Sequence, residues 1–117
     1  MWVMLVLAVT LAGCGAPVLL LTGTGGLHAT VGMTACYTSF ATGHLVPDPA
    51  YGTAIIETDR PMPVMWPDGY TGRQSGSEVE VLDKSGHVVA RTGTVVRLEG
   101  GYWGESPRAF VACGYVL

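Results

Sequence analysis

Residues 77–98, SEVEVLDKSGHVVARTGTVVRL, decide the fold class. Val79, Val81, Val88, Ala90, Val95 and Leu98 are apolar, with Glu78, Glu80, His87, Arg91 and Arg97 interleaved. Successive side chains of an extended chain point to opposite faces, so alternation at a period of two marks half-buried strands and not a helix. Asp83-Lys84-Ser85-Gly86 separates the first two runs with turn residues, and Gly86 is free to take a positive φ. Thr92-Gly93-Thr94 gives a second break before residues 95–98. The spacing predicts three short antiparallel strands in a meander. They form a scaffold on which no catalytic motif lies.

Outward toward the N-terminus, Met62 to Trp66 reads as a short strand, bounded by the Thr58-Asp59-Arg60-Pro61 turn. Thr53 to Thr58 precedes it, with the apolar centre Ala54-Ile55-Ile56. A first strand is expected over residues 35–46, ended by Pro47-Asp48-Pro49, because neither proline can donate to a ladder. Residues 66–73 contain Pro-Asp-Gly and read as a loop, as do the glycine- and aromatic-rich residues 99–107. Residues 108–116 close the chain as a strand.

Five or six short strands at turn-bounded spacing make the chain all-β. The expectation is a small five- or six-stranded antiparallel barrel over residues 34–117, with an open β-sandwich as the alternative. Val64 to Gly69, Val79 to Arg91, Gly100-Gly101 and Cys113 together resemble small secreted bacterial lipoproteins with an OB-like β-barrel, mostly uncharacterised. The resemblance covers about the last 80 residues and implies the barrel. It brings no known activity, so no functional residue is carried over.

The 117 residues suffice for one domain, and every Asp, Glu, Lys and Arg lies from Asp48 onward. A net charge of −3 supplies no basic footprint, which argues against nucleic acid as a partner. Residues 1–13 are apolar and too few to span a bilayer, which is the length of a signal-peptide core. Leu11-Ala12-Gly13-Cys14 resembles the bacterial lipobox. That resemblance implies cleavage before Cys14 and a lipid on its sulfur, making residues 1–13 a signal peptide and 14–33 a lipid-anchored tether. Thr22 to Gly32 is rich in Gly and Thr, as a flexible connector is. Read continuously, Met1 to Leu21 is charge-free and nearly long enough for an uncleaved transmembrane anchor, which is the alternative.

If Cys14 is lipidated, Cys36 and Cys113 remain as a pair bracketing the domain. An extracytoplasmic location permits a disulfide between them, and two buried free thiols are the alternative. The chain has no CxxC, and its three histidines are isolated, so a metal centre is not expected. Met62 and Met65, three apart on a strand, face opposite sides and are poorly placed to share Cu(I). No Gly-x-Ser-x-Gly is present, and Glu78 and Glu80 are expected to form a solvated strand face rather than a catalytic pair.

The remaining chemistry is aromatic. Tyr70 and Trp66 fall in one loop and Tyr102 and Trp103 in the other, flanked by Arg73 and Arg108. Tyr70, Arg73, Tyr102 and Trp103 are therefore the candidate binding residues, with Trp66 expected in the core and Trp103 exposed. The expected function is that of a non-enzymatic, membrane-anchored envelope module without a cofactor. Its expected partners are the membrane, through the N-terminal lipid, and an envelope protein, peptide or glycan. A structural lipoprotein with no small ligand is the second class.

Overall fold

The computed structural model describes residues 15–23, 39–105 and 108–116. Nine strands are present among them: β1 (Pro17–Val18), β2 (Ser39–Asp48), β3 (Gly52–Ile56), β4 (Pro61–Met65), β5 (Thr71–Ser75), β6 (Glu78–Leu82), β7 (Val88–Arg91), β8 (Val95–Trp103) and β9 (Ala109–Val116). The fold is all-β, as the alternation predicts. Five strands close into a barrel in the order β2-β3-β4-β9-β8, and the other four form a sheet in the order β1-β5-β6-β7.

The barrel is not wholly antiparallel, contrary to the expectation. β4 and β9 run parallel, Val64 opposite Phe110 and Met65 opposite Val111. The reason lies in the connection. After β4 the chain leaves the barrel, builds β5 to β7 in the second sheet and returns as β8, so β9 arrives beside β4 in the same direction.

The predicted meander over residues 77–98 is correct for its first two strands and not for the third. β6 and β7 pair around the Asp83 turn, where the Asp83 Oδ1 accepts the Ser85 and His87 amides at 2.9 and 3.0 Å. β8 instead pairs with β2 and β9 in the barrel. The exchange is made at Thr92 and Gly93. The buried Thr92 hydroxyl accepts the Val79 amide and donates to Glu78, holding the chain on β6. Gly93, at φ 85°, then donates to the Leu45 carbonyl at 2.8 Å, which directs the chain onto β2.

Four other expectations change. Residues 71–73, read as the end of a loop, belong to β5, and residues 99–103, also read as loop, continue β8. The glycines that suggest a loop there are packing residues: a Cβ on Gly100 would collide with the Val111 carbonyl across the pair. The strand expected to stop before Pro47 continues to Asp48. β2 pairs with β8 only over Ser39 to His44, so by Pro47 it has one neighbour and the missing N–H removes no ladder bond on the open side.

The last change concerns the N-terminal segment. Of the tether expected over residues 14–33, the described part, residues 15–23, is docked on the domain. Pro17 and Val18 pair with Arg73 and Gly72 of β5. Leu21 donates to Tyr51 at 3.0 Å, Trp66 donates to Leu21 at 2.9 Å, and Gly23 donates to Trp66 at 2.8 Å. The segment thus bonds to both the sheet and the barrel. Leu20 enters the core where Gly52 and Gly72 leave room: a Cβ on either glycine would lie 2.9 Å from Leu20 Cδ2.

One apolar core spans both bodies, containing Leu45, Ile55, Val64, Trp66, Leu98 and Phe110 together with Leu20, Val81 and Ala90. Trp66 is fully buried, as expected, and its indole N–H donates to the Thr53 hydroxyl at 2.8 Å. Met62 packs against this core.

Candidate functional site

Register brings aromatic and cationic side chains together at one end of the barrel. β2 and β8 pair with Phe40 opposite Glu99 and Thr42 opposite Arg97. Phe40 and Arg97 are therefore diagonal neighbours, close enough for a long side chain to reach the ring. The Arg97 guanidinium carbon lies 4.2 Å from the Phe40 ring centre. Further along β8, Tyr102 meets Phe110 edge-on at 5.1 Å, and Arg108 lies 4.9 Å over the Tyr102 ring. Trp103 ends the strand 51% exposed. Each guanidinium is held over a ring face by the attraction of cation to π-cloud.

The Tyr102 hydroxyl links this end of the barrel to the turn between β3 and β4. It donates to the Glu57 carboxylate at 2.9 Å. Burial, reinforced by the negative Glu57, raises the Tyr102 hydroxyl above its ordinary value, so it remains a protonated donor at neutral pH. A shallow cleft of about 190 Å³ lies alongside, walled by Glu57, Asp59, Arg60, Tyr102 and Arg108 among others. Ring faces and two cations suit stacking against a flat apolar or sugar surface, and the cleft adds hydrogen-bonding groups of both signs.

The four residues singled out from the sequence do not form one surface. Tyr102 and Trp103 both stand at this end of the barrel, on opposite sides of β8: Tyr102 pairs with the buried Phe110 and Trp103 with Ala109. Tyr70 is half-buried and stacks on Trp66 at 6.2 Å between ring centres. The two aromatic groups lie at opposite ends of β4: Glu57 precedes it and Trp66 to Tyr70 follow it, and five extended residues span about 17 Å. Arg73 lies on β5, where its Nε and Nη2 donate to Glu80 Oε1 at 3.0 and 2.7 Å.

Glu80 corrects a further expectation. It is not on a solvated face. Arg73 on β5 and Arg91 on β7 are its direct partners across both neighbouring strands, and Arg91 donates to Oε2. The two arginines cover the carboxylate, leaving its side chain 9% exposed. Hydrogen bonds from Arg73 and then Arg91 hold its pKa below the ordinary carboxylate range. Glu78 is half-buried and accepts from Thr92. His44 and His87 are exposed.

Phe40, Arg97 and Glu57 were not indicated by the sequence. Their partners lie 62 to 45 residues away in the case of Tyr102, and only the barrel register assembles them. Cys14 and Cys36 lie outside the described residues, so neither the lipidation site nor the first end of the expected bridge is described; Cys113 is half-buried on β9. Among the described residues no three His, Cys, Asp or Glu side chains converge as a metal site, and no helix is long and apolar enough to cross a membrane. Comparison of the chain with protein-family models, with characterised proteins and with solved structures gives no match.

Proposed function

We propose that this chain is a non-enzymatic binding module of the cell envelope. Its N-terminal segment holds it at the membrane outside the cytoplasm, and the barrel end carrying Phe40, Arg97, Tyr102 and Trp103 takes an envelope protein, peptide or glycan. The observation that carries the contact surface is the pair of guanidinium groups stacked on exposed rings, ending in the half-exposed Trp103. Aromatic and arginine side chains of this kind supply most of the energy of a contact at little entropic cost. Small five-stranded barrels of the OB type bind oligosaccharides and oligonucleotides on strand faces and loops, and this barrel shares their strand number and closure. Fold likeness by itself assigns no ligand. The net charge of −3 favours the sugar or peptide over nucleic acid.

Two covalent features belong to the same reading. The lipobox-like Leu11-Ala12-Gly13-Cys14 supports lipidation of Cys14. What supports the Cys36–Cys113 bridge is that Cys113 is a disulfide cysteine, together with the bracketing position of the pair. Intact mass of the membrane-fraction protein should show loss of residues 1–13 and added acyl mass. Titration of envelope glycan and peptide panels into isotope-labelled protein tests the surface. Amide shifts centred on Phe40, Arg97, Tyr102 and Trp103 are expected. Shifts centred elsewhere, or none across the panels, overturn the surface in favour of a structural role.

A further inference from the structure

The docking of residues 15–23 fixes more than the fold. Gly15 donates to the Gln74 carbonyl at 3.0 Å, Gln74 donates to Ala16 at 2.7 Å, and Pro17 and Val18 pair with β5. Position 14, the expected anchor, is one peptide unit or about 3.8 Å from Gly15 by covalent geometry alone. No spacer therefore separates an anchored residue 14 from the domain. A membrane that holds position 14 must meet the β1–β5 edge of the small sheet.

That edge has the composition such a contact requires. Residues 15–23 carry no charge, and Gly15, Ala16 and Pro17 are exposed. Leu20 turns into the core, and its neighbour Leu19 points outward, 91% exposed, more than any other large hydrophobic residue among those described. Beside it runs a cleft of about 540 Å³ whose walls include Val18, Leu19, Tyr70 and Gly72. A large apolar side chain standing in water is weakly unfavourable unless something covers it, and a half-buried tyrosine at the rim is the residue type that settles at a membrane interface.

We infer that residues 15–19 and the adjoining β5 edge rest on the lipid bilayer, with Leu19 inserted among the lipids, and that the barrel's β2–β8 face stays in water. The inference rests on the envelope reading above but not on the kind of anchor, since a lipid on Cys14 and an uncleaved apolar run before it place the same edge at the surface. Insertion is apolar: residues 15–19 carry no cation, and Arg73 on the adjoining β5 is paired with Glu80, so the contact with a zwitterionic bilayer is little screened by salt. The two or three acyl chains that the lipobox resemblance implies hold the chain firmly by themselves, so an apolar contact beside the anchor chiefly orients the domain.

The test uses the full chain, isotope-labelled, in phosphatidylcholine bicelles containing nitroxide-labelled lipid. The amide signals of residues 15, 16, 18, 19 and 70–72 should be lost, and those of residues 40–44 and 95–99 should remain, at low and at high salt alike. Leu19→Ser, at an exposed position, should keep the melting temperature and the membrane association but recover the signals of residues 70–72. Signal loss centred on the barrel face, or none over residues 15–19 while the chain still co-sediments with vesicles, overturns the contact and leaves the anchor standing. Concentration-dependent self-association that protects Leu19 in the absence of lipid also overturns it, in favour of a second copy. A pattern unchanged by Cys14→Ala removes the lipid anchor and keeps the contact. A full chain that does not co-sediment with vesicles overturns both.

Discussion

In the barrel, Leu45, Ile55, Val64, Leu98 and Phe110 are fully buried, and closure gives every strand two neighbours. The four-stranded sheet is built differently. Its inner strand β6 buries Val79 and Val81, the latter in the shared core, and sets Glu80 on the opposite face, locked between Arg73 and Arg91. Its edge strand β1 is two residues long. The barrel is held by apolar closure, whereas the sheet depends on a charge lock on one face and, on the other, on what it shares with the barrel. Trp66 and Leu20 stand where the two meet, so they decide whether the bodies unfold together.

Trp66→Ala should have the largest effect. The ring is fully buried, stacks on Tyr70 and gives its N–H to Thr53. Its removal leaves a cavity at the seam and an unpaired buried hydroxyl, a loss of about 3–5 kcal/mol. Urea denaturation followed by far- and near-ultraviolet signals should show one earlier transition. Two separated transitions would mean that the bodies are independent and that the seam is not shared.

Leu20→Ala sharpens the same contrast. The side chain lies between Gly52 of the barrel and Gly72 of the sheet. A loss of about 2–3 kcal/mol is expected, at the low end for Leu→Ala because a site walled by two glycines can partly collapse. Hydrogen exchange should quicken at β5 amides more than at β2 and β8, since the sheet lacks the barrel's closure. Equal quickening in both bodies would contradict the assignment of Leu20 to the sheet's attachment.

The charge lock gives the sheet a pH dependence that the barrel core lacks. Glu80 titrates lower in the folded protein than its ordinary value of 4.5, because Arg73 and Arg91 bond the ionised form. Its stabilising contribution is therefore complete above that value and lost as the pH falls through the lowered one. Asp83, lowered chiefly by the His87 amide, acts with the same sign. Glu80→Gln should lower the melting temperature at pH 7 and flatten its fall below about pH 4.5, leaving the part due to Asp83. A variant curve parallel to the wild type would show that the two arginines do not favour the charged carboxylate.

The contrast also explains what could be read from the chain. The β6–β7 hairpin is legible because its determinants are local: alternation in residues 78–82 and 88–91, and Asp83 capping the turn between them. β5 is not, since Thr71-Gly72-Arg73-Gln74-Ser75 is polar and becomes a strand only through pairing with β1 and β6. Alternation places Glu80 on the face opposite Val79 and Val81, but the residues that cover it come from two other strands. The same limit hides the aromatic end of the barrel. Tyr102 and Trp103 stand out as residue types, whereas Phe40, Arg97 and Glu57 join them only through barrel register.

The smallest expected effect on stability belongs to Trp103, and it is the comparison with Trp66 that makes it informative. The two residues are chemically identical, yet Trp66 has no exposed surface and Trp103 is 51% exposed at the end of β8, opposite the small Ala109. Truncation to alanine at an exposed strand end removes little packing, so Trp103→Ala should change stability by no more than about 0.5 kcal/mol. At the proposed contact the same truncation removes a rigid ring of the kind that dominates binding energy, so affinity for a glycan or peptide found in the panels should fall well beyond the change in stability. Denaturation and titration of one variant thus separate the two roles. A stability loss of about 3 kcal/mol or more would place Trp103 among the core residues. Unchanged stability with unchanged affinity would move the contact off the end of β8, toward the Arg97–Phe40 pair.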